Sequence, residues 1–456
     1  TISGLVSVVL RDAAGAVVAE TNPLIVEDTP LVHFWADLHG QSEETIGTGS
    51  AEAYFAFARD RAFVDACGHQ GNDFQISDAF WAELNRITER FDEPGRFVAL
   101  PGYEWSGNTS LGGDRNVYFP TEGRTIRRSS HALIEDRSTA DTDCLTANDL
   151  FEAFAREGES DVVCFAHCGG RYADIGYAHD GRFERSVEVH SSWGTFEWLL
   201  HDALDLGYRV GVVTNSDGHK GRPGASYPGA GKFGAIGGLS CYLMEELSRP
   251  ALLDALRKRH HYGTTGGSGG RIIVDLKGHF PAGGTLYHDD PKLFPASEGR
   301  PATDALMGDI VHLPDGAFEL DVAVSSNSPI ERIDIFNGRT LVETVRPYDE
   351  ADLGPRIRVL WEGAEYRGRF REVIWDGNAR FDGNAIVSAR PVNFLNRDKT
   401  LDRDGSDGLS WKALTTGNFG GFDVVLENAS AGVLKVQTPL VSFELPVADI
   451  GLEDTV

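Results

Sequence analysis

Histidines and carboxylates recur at one kind of place along this chain, directly after short apolar runs. His39 follows 31–37 (LVHFWAD), Glu104 follows 97–100 (FVAL), His167 follows 161–166 (DVVCFA), His190 closes 186–190 (SVEVH), and Asp217 and His219 follow 210–214 (RVGVV). A single histidine is ordinarily a capping or surface residue; several at equivalent strand ends point to one shared site. Imidazole nitrogens and carboxylate oxygens without thiolates suit Zn, Mn or Fe in a centre that keeps water, not a closed structural zinc. A bound divalent ion brings the pKa of its water towards ~7, and a second ion clamps the oxygens of an in-line displacement, so the expected chemistry is hydrolysis. A leaving alkoxide needs a proton, which His131, His190 or His261 could deliver, with Asp217 at the metal.

Cations lie beside the same loops. Arg115, Arg128, Arg171, Lys220 and Arg222 could hold a phosphate or carboxylate, or could pair with the chain's many acids. Lys220 and Arg222 stand out because they follow His219 directly in a turn shaped by Gly221, Pro223 and Gly224. Tyr103, Trp105, Tyr172, Trp193, Trp198 and Tyr227 also lie near these positions, where a ring stacks on substrate or fills the core. Two other stretches read as non-catalytic. The run 263–270 lacks the lysine of a P-loop and follows a helix, which makes it a link between domains. The run 402–407 has no closing glutamate for a calcium loop, so it reads as an exposed acidic turn.

The elements that must position these groups follow from patterning. Between 31 and 270 short apolar runs alternate with helical periodicity, the rhythm of βα units and a largely parallel sheet or barrel. Phe80, Leu84, Ile87 and Phe91 fall at helical spacing after Asp78, a suitable cap; Leu199, Leu200, Ala203 and Leu206 run up to Gly207; and Ser248 with Pro250 starts a helix towards His260. From 271 to 456 strands alternate, and Ile333–Ile335, Asn337-Gly338 and Leu341-Val342 read as a hairpin on a primed turn. The expected organisation is an N-terminal hairpin (1–30) packed on the C-terminal domain, an α/β domain (31–270) and a β-rich, sandwich-like domain (271–456).

Composition narrows the function further. With 456 residues, the chain has room for two or three domains at roughly 150 residues each. A formal net charge of −27 disfavours extended binding to nucleic acid or anionic lipid. No apolar run approaches the ~20 residues of a membrane helix. Five cysteines, all within the first 241 residues, fit reduced thiols and favour the cytoplasm. The chain begins at Thr1 without a signal-like segment, which leaves a removed leader open.

The order of the motifs resembles the PHP (polymerase and histidinol phosphatase) superfamily of metal-dependent hydrolases. Asp37-Leu38-His39-Gly40-Gln41 is similar to its opening D-L-H-x-H motif, and Cys67-Gly68-His69 to its T-D-H segment. Pro101-Gly102-Tyr103-Glu104, Phe165-Ala166-His167 and Ser216-Asp217-Gly218-His219 resemble its later glutamate, histidine and D-x-H motifs. TNSDGHKGRPG, GGLS and RHHYGTTG resemble more closely an uncharacterised PHP-like branch known as a domain of unknown function. The resemblance covers roughly 31–275 and implies a distorted (β/α)7 TIM-like barrel with an appended antiparallel β-sandwich-like domain. It also implies metal ligands at His39, Gln41, His69, Glu104, His167, Asp217 and His219; the cations and rings beside these motif loops make Arg115, Arg171, Lys220, Arg222 and Trp193 the expected substrate contacts. Gln41 stands where the family has a second histidine, and Gly68 where it has an aspartate. These departures lower the expected count to one or two ions of Mn, Zn or Fe, while Asp73 or Asp114, each also an ordinary turn residue, could supply a missing carboxylate.

The leading expectation is a metal-dependent hydrolase of a phosphoester or related anionic phosphorus compound. Amide, lactone and glycosidic bonds remain open, as does a non-catalytic binding module with a degraded metal site. Assembly into a homo-oligomer is likewise open.

Overall fold

The computed structural model describes all residues except 1–3, 27–28, 228–234, 267–270, 315, 365–366 and 368–371. The chain divides into two compact units. The larger comprises Thr1–Ser192, Glu197–Tyr227 and Gly237–Pro329, and the smaller comprises Ile330–Val456 with Trp193–Phe196 and, of the described residues, Ala235 and Ile236.

In the larger unit, each of the five apolar runs forms a strand: Val32–Asp37, Val98–Leu100, Val163–Ala166, Glu184–Ser191 and Gly211–Thr214. Five more complete the framework: Ala66–Gly68, Gly102–Ser106, Asp114–Tyr118, Leu239–Met244 and His261–Thr264. One sheet runs in the order His261–Thr264, Leu239–Met244, Val32–Asp37, Ala66–Gly68, Val98–Leu100. The other contains Glu184–Ser191, Val163–Ala166, Asp114–Tyr118 and Gly102–Ser106, with Gly211–Thr214 also paired to Glu184–Ser191.

The pairing is mixed where the alternating pattern predicts a largely parallel one. Val32–Asp37, Ala66–Gly68 and Val98–Leu100 are parallel, as are Val163–Ala166, Glu184–Ser191 and Gly211–Thr214. Leu239–Met244 runs antiparallel to both neighbours, and Asp114–Tyr118 does the same. The second case has a local cause. Only Gly107, Asn108, a 3-10 turn, Thr109–Leu111, and two positive-φ glycines, Gly112 and Gly113, separate Gly102–Ser106 from Asp114–Tyr118. A connection that short makes a hairpin, since a parallel crossover needs a dozen or more residues.

Among the described residues the ladders form two sheets, not one closed barrel. The sheets nevertheless share a core, in which Leu38, Leu100 and Tyr242 of one pack with Tyr118, Phe165 and Val213 of the other. At one margin Pro101 alone separates two strands of different sheets. At the other, the Thr214 hydroxyl lies 2.9 Å from the carbonyls of Leu239 and Thr264, and the Ser240 hydroxyl donates to the Thr214 carbonyl at 2.8 Å.

The helices follow their periodicity. Asp78–Phe91 buries Trp81, Leu84, Ile87 and Phe91, with Ser77 as its cap, one residue before the expected Asp78. Glu197–Asp205 precedes Gly207 at φ 72°, and Arg249–Lys258 is capped by Ser248 and ends at Arg259 in the left-handed region.

The change of pattern at 271 marks a new sheet, not the edge of the compact unit. Ile273–Tyr287 pairs antiparallel with Arg300–Leu306, Ile310–His312 and Glu319–Ser325. Arg185 reaches Asp289 at 3.3 Å, Arg209 reaches Asp290 at 2.5 Å, and Arg259 donates to the Gly308 and His288 carbonyls, so this sheet is held to the larger unit. Gly263, from the run expected to be a domain link, lies within His261–Thr264, and 267–270 fall outside the described residues. The N-terminal segment also belongs to the larger unit instead of the C-terminal one. Its strands Val9–Arg11 and Val17–Glu20, and Gly4–Val6 and Leu24–Val26, pair with each other shortly before Val32–Asp37.

The smaller unit is antiparallel. One sheet has the order Arg356–Glu362, Phe419–Leu426, Ile386–Val392, and another the order Thr400–Asp404, Gly408–Lys412, Gly377–Asp382, Val433–Gln437, Ser442–Pro446. Side chains of both, including Trp361, Phe422, Phe381, Trp411 and Leu434, form one core. The expected hairpin pairs Ile333–Asn337 with Thr340–Val345 across Gly338 at φ 59°.

Candidate metal centre

The site begins at the end of Val32–Asp37. The buried Asp37 carboxylate accepts from the Ser216 amide at 2.9 Å and the Gly224 amide at 2.7 Å, tying the loop after Gly211–Thr214 to this strand. The Leu38 amide donates to Asn215 Oδ1 at 2.8 Å. These bonds bring His39 to the loop that carries Asp217. His39 Nδ1 lies 3.0 Å from Glu188 Oε1, and its Nε2 lies 3.3 Å from Asp217 Oδ1 and 3.5 Å from Glu104 Oε2. The His167 ring packs edge-on to His39 with centroids 4.4 Å apart, and its Nε2 lies 3.9 Å from Glu104 Oε2. Three overlapping groups result: His39, His167 and Glu188; His39, Glu104 and Asp217; and Glu104, Asp114 and His167, with the potential ligand atoms of each within 4.8 Å of one another.

Neighbours fix the carboxylates. Glu104 Oε1 accepts from Asn72 Nδ2 at 2.9 Å and from the Ser106 hydroxyl at 2.8 Å, while Oε2 faces the histidines. Asn215 Nδ2 donates to Glu188 Oε2 at 2.6 Å. Arg171 donates through Nε to Asp114 Oδ1 at 2.6 Å and lies over the Phe74 ring, its side chain 26% exposed. Asp217 holds φ 43°, a left-handed conformation that costs a non-glycine residue of order 1 kcal/mol and aims its side chain at His39 and His219.

Charge is crowded here. Burial would lower the His39 pKa, but Asp217, Glu188 and Glu104 outweigh it and hold the ring well above its usual range. Burial, reinforced by His39, takes His167 down to about 3, whereas burial and then Glu104 take Asp114 up to about 8. Burial also raises Glu188, and Asp217 stays low because His39 and His219 oppose its desolvation.

The donor set fits divalent metal ions. His39 Nε2 and both His167 ring nitrogens are buried without a hydrogen-bond partner, beside carboxylates that are costly to ionise in a dry pocket without more positive charge. Gly169 keeps the space open. A Cβ there would come within 3.0–3.3 Å of His167 Cε1, Asp217 Oδ2 and Asp114 Oδ2.

Of the residues expected at the metal, the structure gathers His39, Glu104, His167 and Asp217, with His219 Nε2 3.3 Å from Asp217 Oδ1. His69 is outside these groups, and Gln41 and His69 are each bonded to their own loop. Gln41 Oε1 accepts from the Thr45 hydroxyl at 2.9 Å; His69 Nε2 lies 2.7 Å from the Ser42 hydroxyl and 3.1 Å from the Ser42 amide, and its Nδ1 lies 3.3 Å from the Gly71 amide. Asp73 accepts from the Ser106 amide at 2.6 Å and from the Ser129 amide, so it braces a loop.

The other expected roles divide similarly. Arg171 is at the site. Arg115 is fully buried, bonded to Glu184 and to the Gly112, Gly113 and Ala178 carbonyls, and Arg128 is bonded to the Ile76 carbonyl and Asp78, so neither is free to reach a substrate. Lys220 and Arg222 are exposed and make no side-chain hydrogen bond or ion pair among the described residues. Trp193 belongs to the smaller unit. His131 Nδ1 lies 2.6 Å from Asp143, and His190 lies past a bulge that follows Glu188; neither is in the three groups. His261 is held by the Val212 carbonyl and the Ser186 hydroxyl, each at 2.9 Å.

Sequence reasoning missed Glu188, although a lone charge between Val187 and Val189 in an apolar strand is a readable sign of an inward-facing carboxylate. Asn72, Ser106 and Asn215 carried no such sign.

A family model described as a protein of unknown function (DUF3604) matches residues 13–173. An uncharacterized protein of Chlamydia pneumoniae is 23% identical over 254 residues, covering 51% of this chain and 39% of that protein. An uncharacterized protein of Chlamydia muridarum is 23% identical over 302 residues, covering 60% of this chain and 46% of its own. The chain thus spans less than half the length of these curated relatives. Among solved structures, a two-domain protein from Bacteroides vulgatus, described as containing a predicted PHP-like metal-dependent phosphoesterase, is 12% identical with a TM-score of 0.36, covering 68% of this chain and 92% of its own.

Proposed function

We propose that this chain is a metal-dependent hydrolase of a phosphoester or related anionic phosphorus-containing small molecule. The observation that carries the reading is the convergence of unpartnered imidazole nitrogens of His39 and His167 on Glu104, Asp114, Glu188 and Asp217. His39, His167, Glu104, Glu188 and Asp217 would hold one or two divalent ions of Mn, Zn or Fe, with His219 beside Asp217. Bound there, the ions supply a water activated at neutral pH and a Lewis acid for the scissile group. Arg171, held by Asp114 and partly open to solvent, is the cation suited to orient an anionic group, and Lys220 and Arg222 add positive charge on the loop that carries Asp217.

In this reading the two sheets of the larger unit are parts of a distorted PHP-like barrel, supported by their shared core and joined margins. The smaller unit is β-sandwich-like and plays a supporting role. A second reading, a binding module with a reduced metal site, is favoured by Gln41 and His69, which are bonded elsewhere.

A panel of aryl phosphates, phosphodiesters, acyl esters, lactones and glycosides, assayed with added Mn, Zn or Fe, separates these readings. Turnover of a phosphorus ester that is lost in Asp217→Ala is the expected result. Turnover of acyl or glycosidic substrates alone contradicts the phosphoester assignment, and no turnover of any class favours the binding module.

A further inference from the structure

Away from this centre, His260, His288 and Asp309 form a second convergent group, with potential ligand atoms within 4.8 Å of one another. His260 follows the helix Arg249–Lys258, His288 follows the strand Ile273–Tyr287, and Asp309 precedes the strand Ile310–His312. Asp309 Oδ2 accepts from the Leu306 amide at 2.9 Å, leaving Oδ1 to face both rings. His260 Nε2 lies 2.9 Å from Oδ1 and His288 Nδ1 lies 3.4 Å from it. The His288 nitrogen is itself buried and has no hydrogen-bond partner, although its side chain is 41% exposed.

The backbone around the group is fixed before any ion arrives. Arg259 sits at φ 59° and donates to the Gly308 carbonyl at 3.0 Å and the His288 carbonyl at 2.8 Å, clamping the two loops that carry His288 and Asp309. Gly308 is required there, since it holds φ 88° and a Cβ would lie 2.1 Å from the Arg259 carbonyl oxygen. Of the cations nearby, Lys258 is paired with Asp254 at 2.7 Å, Arg185 with Asp289 and Arg209 with Asp290, while the Arg259 guanidinium is bonded to backbone carbonyls. Two imidazoles and one carboxylate are the donors of a borderline divalent ion, with the partly exposed His288 side leaving room for water.

We propose that His260, His288 and Asp309 form a second divalent-metal site, of the zinc class, that fastens the sheet 273–325 to the end of the helix Arg249–Lys258. It is independent of the hydrolase reading and uses none of its residues. The test is zinc titration of the chelator-stripped full chain, read by bound metal per chain and by unfolding temperature, with cobalt absorption as a second probe. The comparison set is wild type, His288→Ala, Asp309→Asn and Asp217→Ala. One zinc fewer is expected in His288→Ala and in Asp309→Asn than in wild type, with a smaller zinc-dependent rise in unfolding temperature; Asp217→Ala keeps that contribution. Because His288 is partly exposed, its alanine variant is expected to fold even if Asp309→Asn does not. Equal zinc content in wild type and His288→Ala, or no zinc bound by wild type, would overturn the proposal.

Discussion

At the scale of single residues, the carboxylates of the candidate centre are held by neighbours outside it, Glu104 by Asn72 and Ser106, Glu188 by Asn215 and Asp114 by Arg171. Asn72 is one of these, and replacing it by alanine removes a bond that orients Glu104. Loss of such a supporting contact typically lowers metal affinity by about 10-fold to 100-fold, and Asn72→Ala is expected to do so with the fold retained. Metal titration beside circular dichroism checks this. Gly169→Ala tests the space itself, because the added methyl would crowd His167, Asp114 and Asp217. Metal affinity is expected to fall while the unfolding temperature of the metal-free protein changes little; an unchanged affinity would show that the ion sits elsewhere. At this scale the sequence was legible where a candidate ligand followed a strand, and His39, Glu104, His167 and Asp217 do converge. At Gln41 and His69 proximity in the chain to His39 and to a strand end did not show that the side chains are bonded to Thr45 and to the Ser42 and Gly71 amides.

Elements set the register of these residues, and His261 links three of them. It lies in His261–Thr264 and bonds to Val212 and Ser186 of two strands in the other sheet. Burial lowers its pKa from 6.5 to about 4. Above pH 6.5 the ring is neutral in both folded and unfolded chains, and its contribution is fully present. As pH falls from 6.5 towards 4 the unfolded chain takes up the proton first, so stability is lost over that window, by about 3 kcal/mol at most. His261→Asn is therefore expected to lower stability at pH 7 and to flatten the pH dependence of urea unfolding between pH 4 and 6.5. Identical slopes in both proteins would contradict the assignment. Strand and helix positions were legible because apolar runs and helical spacing are local signals. The antiparallel strands Gly102–Ser106 and Asp114–Tyr118 were not, because both are rich in polar residues buried around the site.

For the whole molecule, the compact unit and the change of sequence pattern fall at different places. A boundary at 270 would separate Arg185, Arg209 and Arg259 from Asp289, Asp290 and the Gly308 carbonyl. A fragment ending at Pro329 is thus expected to fold cooperatively and to bind metal, whereas one ending at 270 is expected to aggregate or unfold at a markedly lower temperature. Size-exclusion chromatography and thermal unfolding of the two fragments distinguish them. The sequence placed the step where periodicity changed from helical to alternating; ion pairs between distant loops leave no periodic trace.

The most direct test of the central claim is metal content by plasma mass spectrometry on full-length protein purified without an affinity metal, measured for wild type, His39→Ala, Asp217→Ala and His288→Ala. The account predicts one or two equivalents of Mn, Fe or Zn at the main centre of wild type that fall in both His39→Ala and Asp217→Ala, leaving at most the metal of the His288 site, and that persist in His288→Ala. Wild type without metal and unable to take any up, or a content unchanged by both main-centre substitutions, would contradict it.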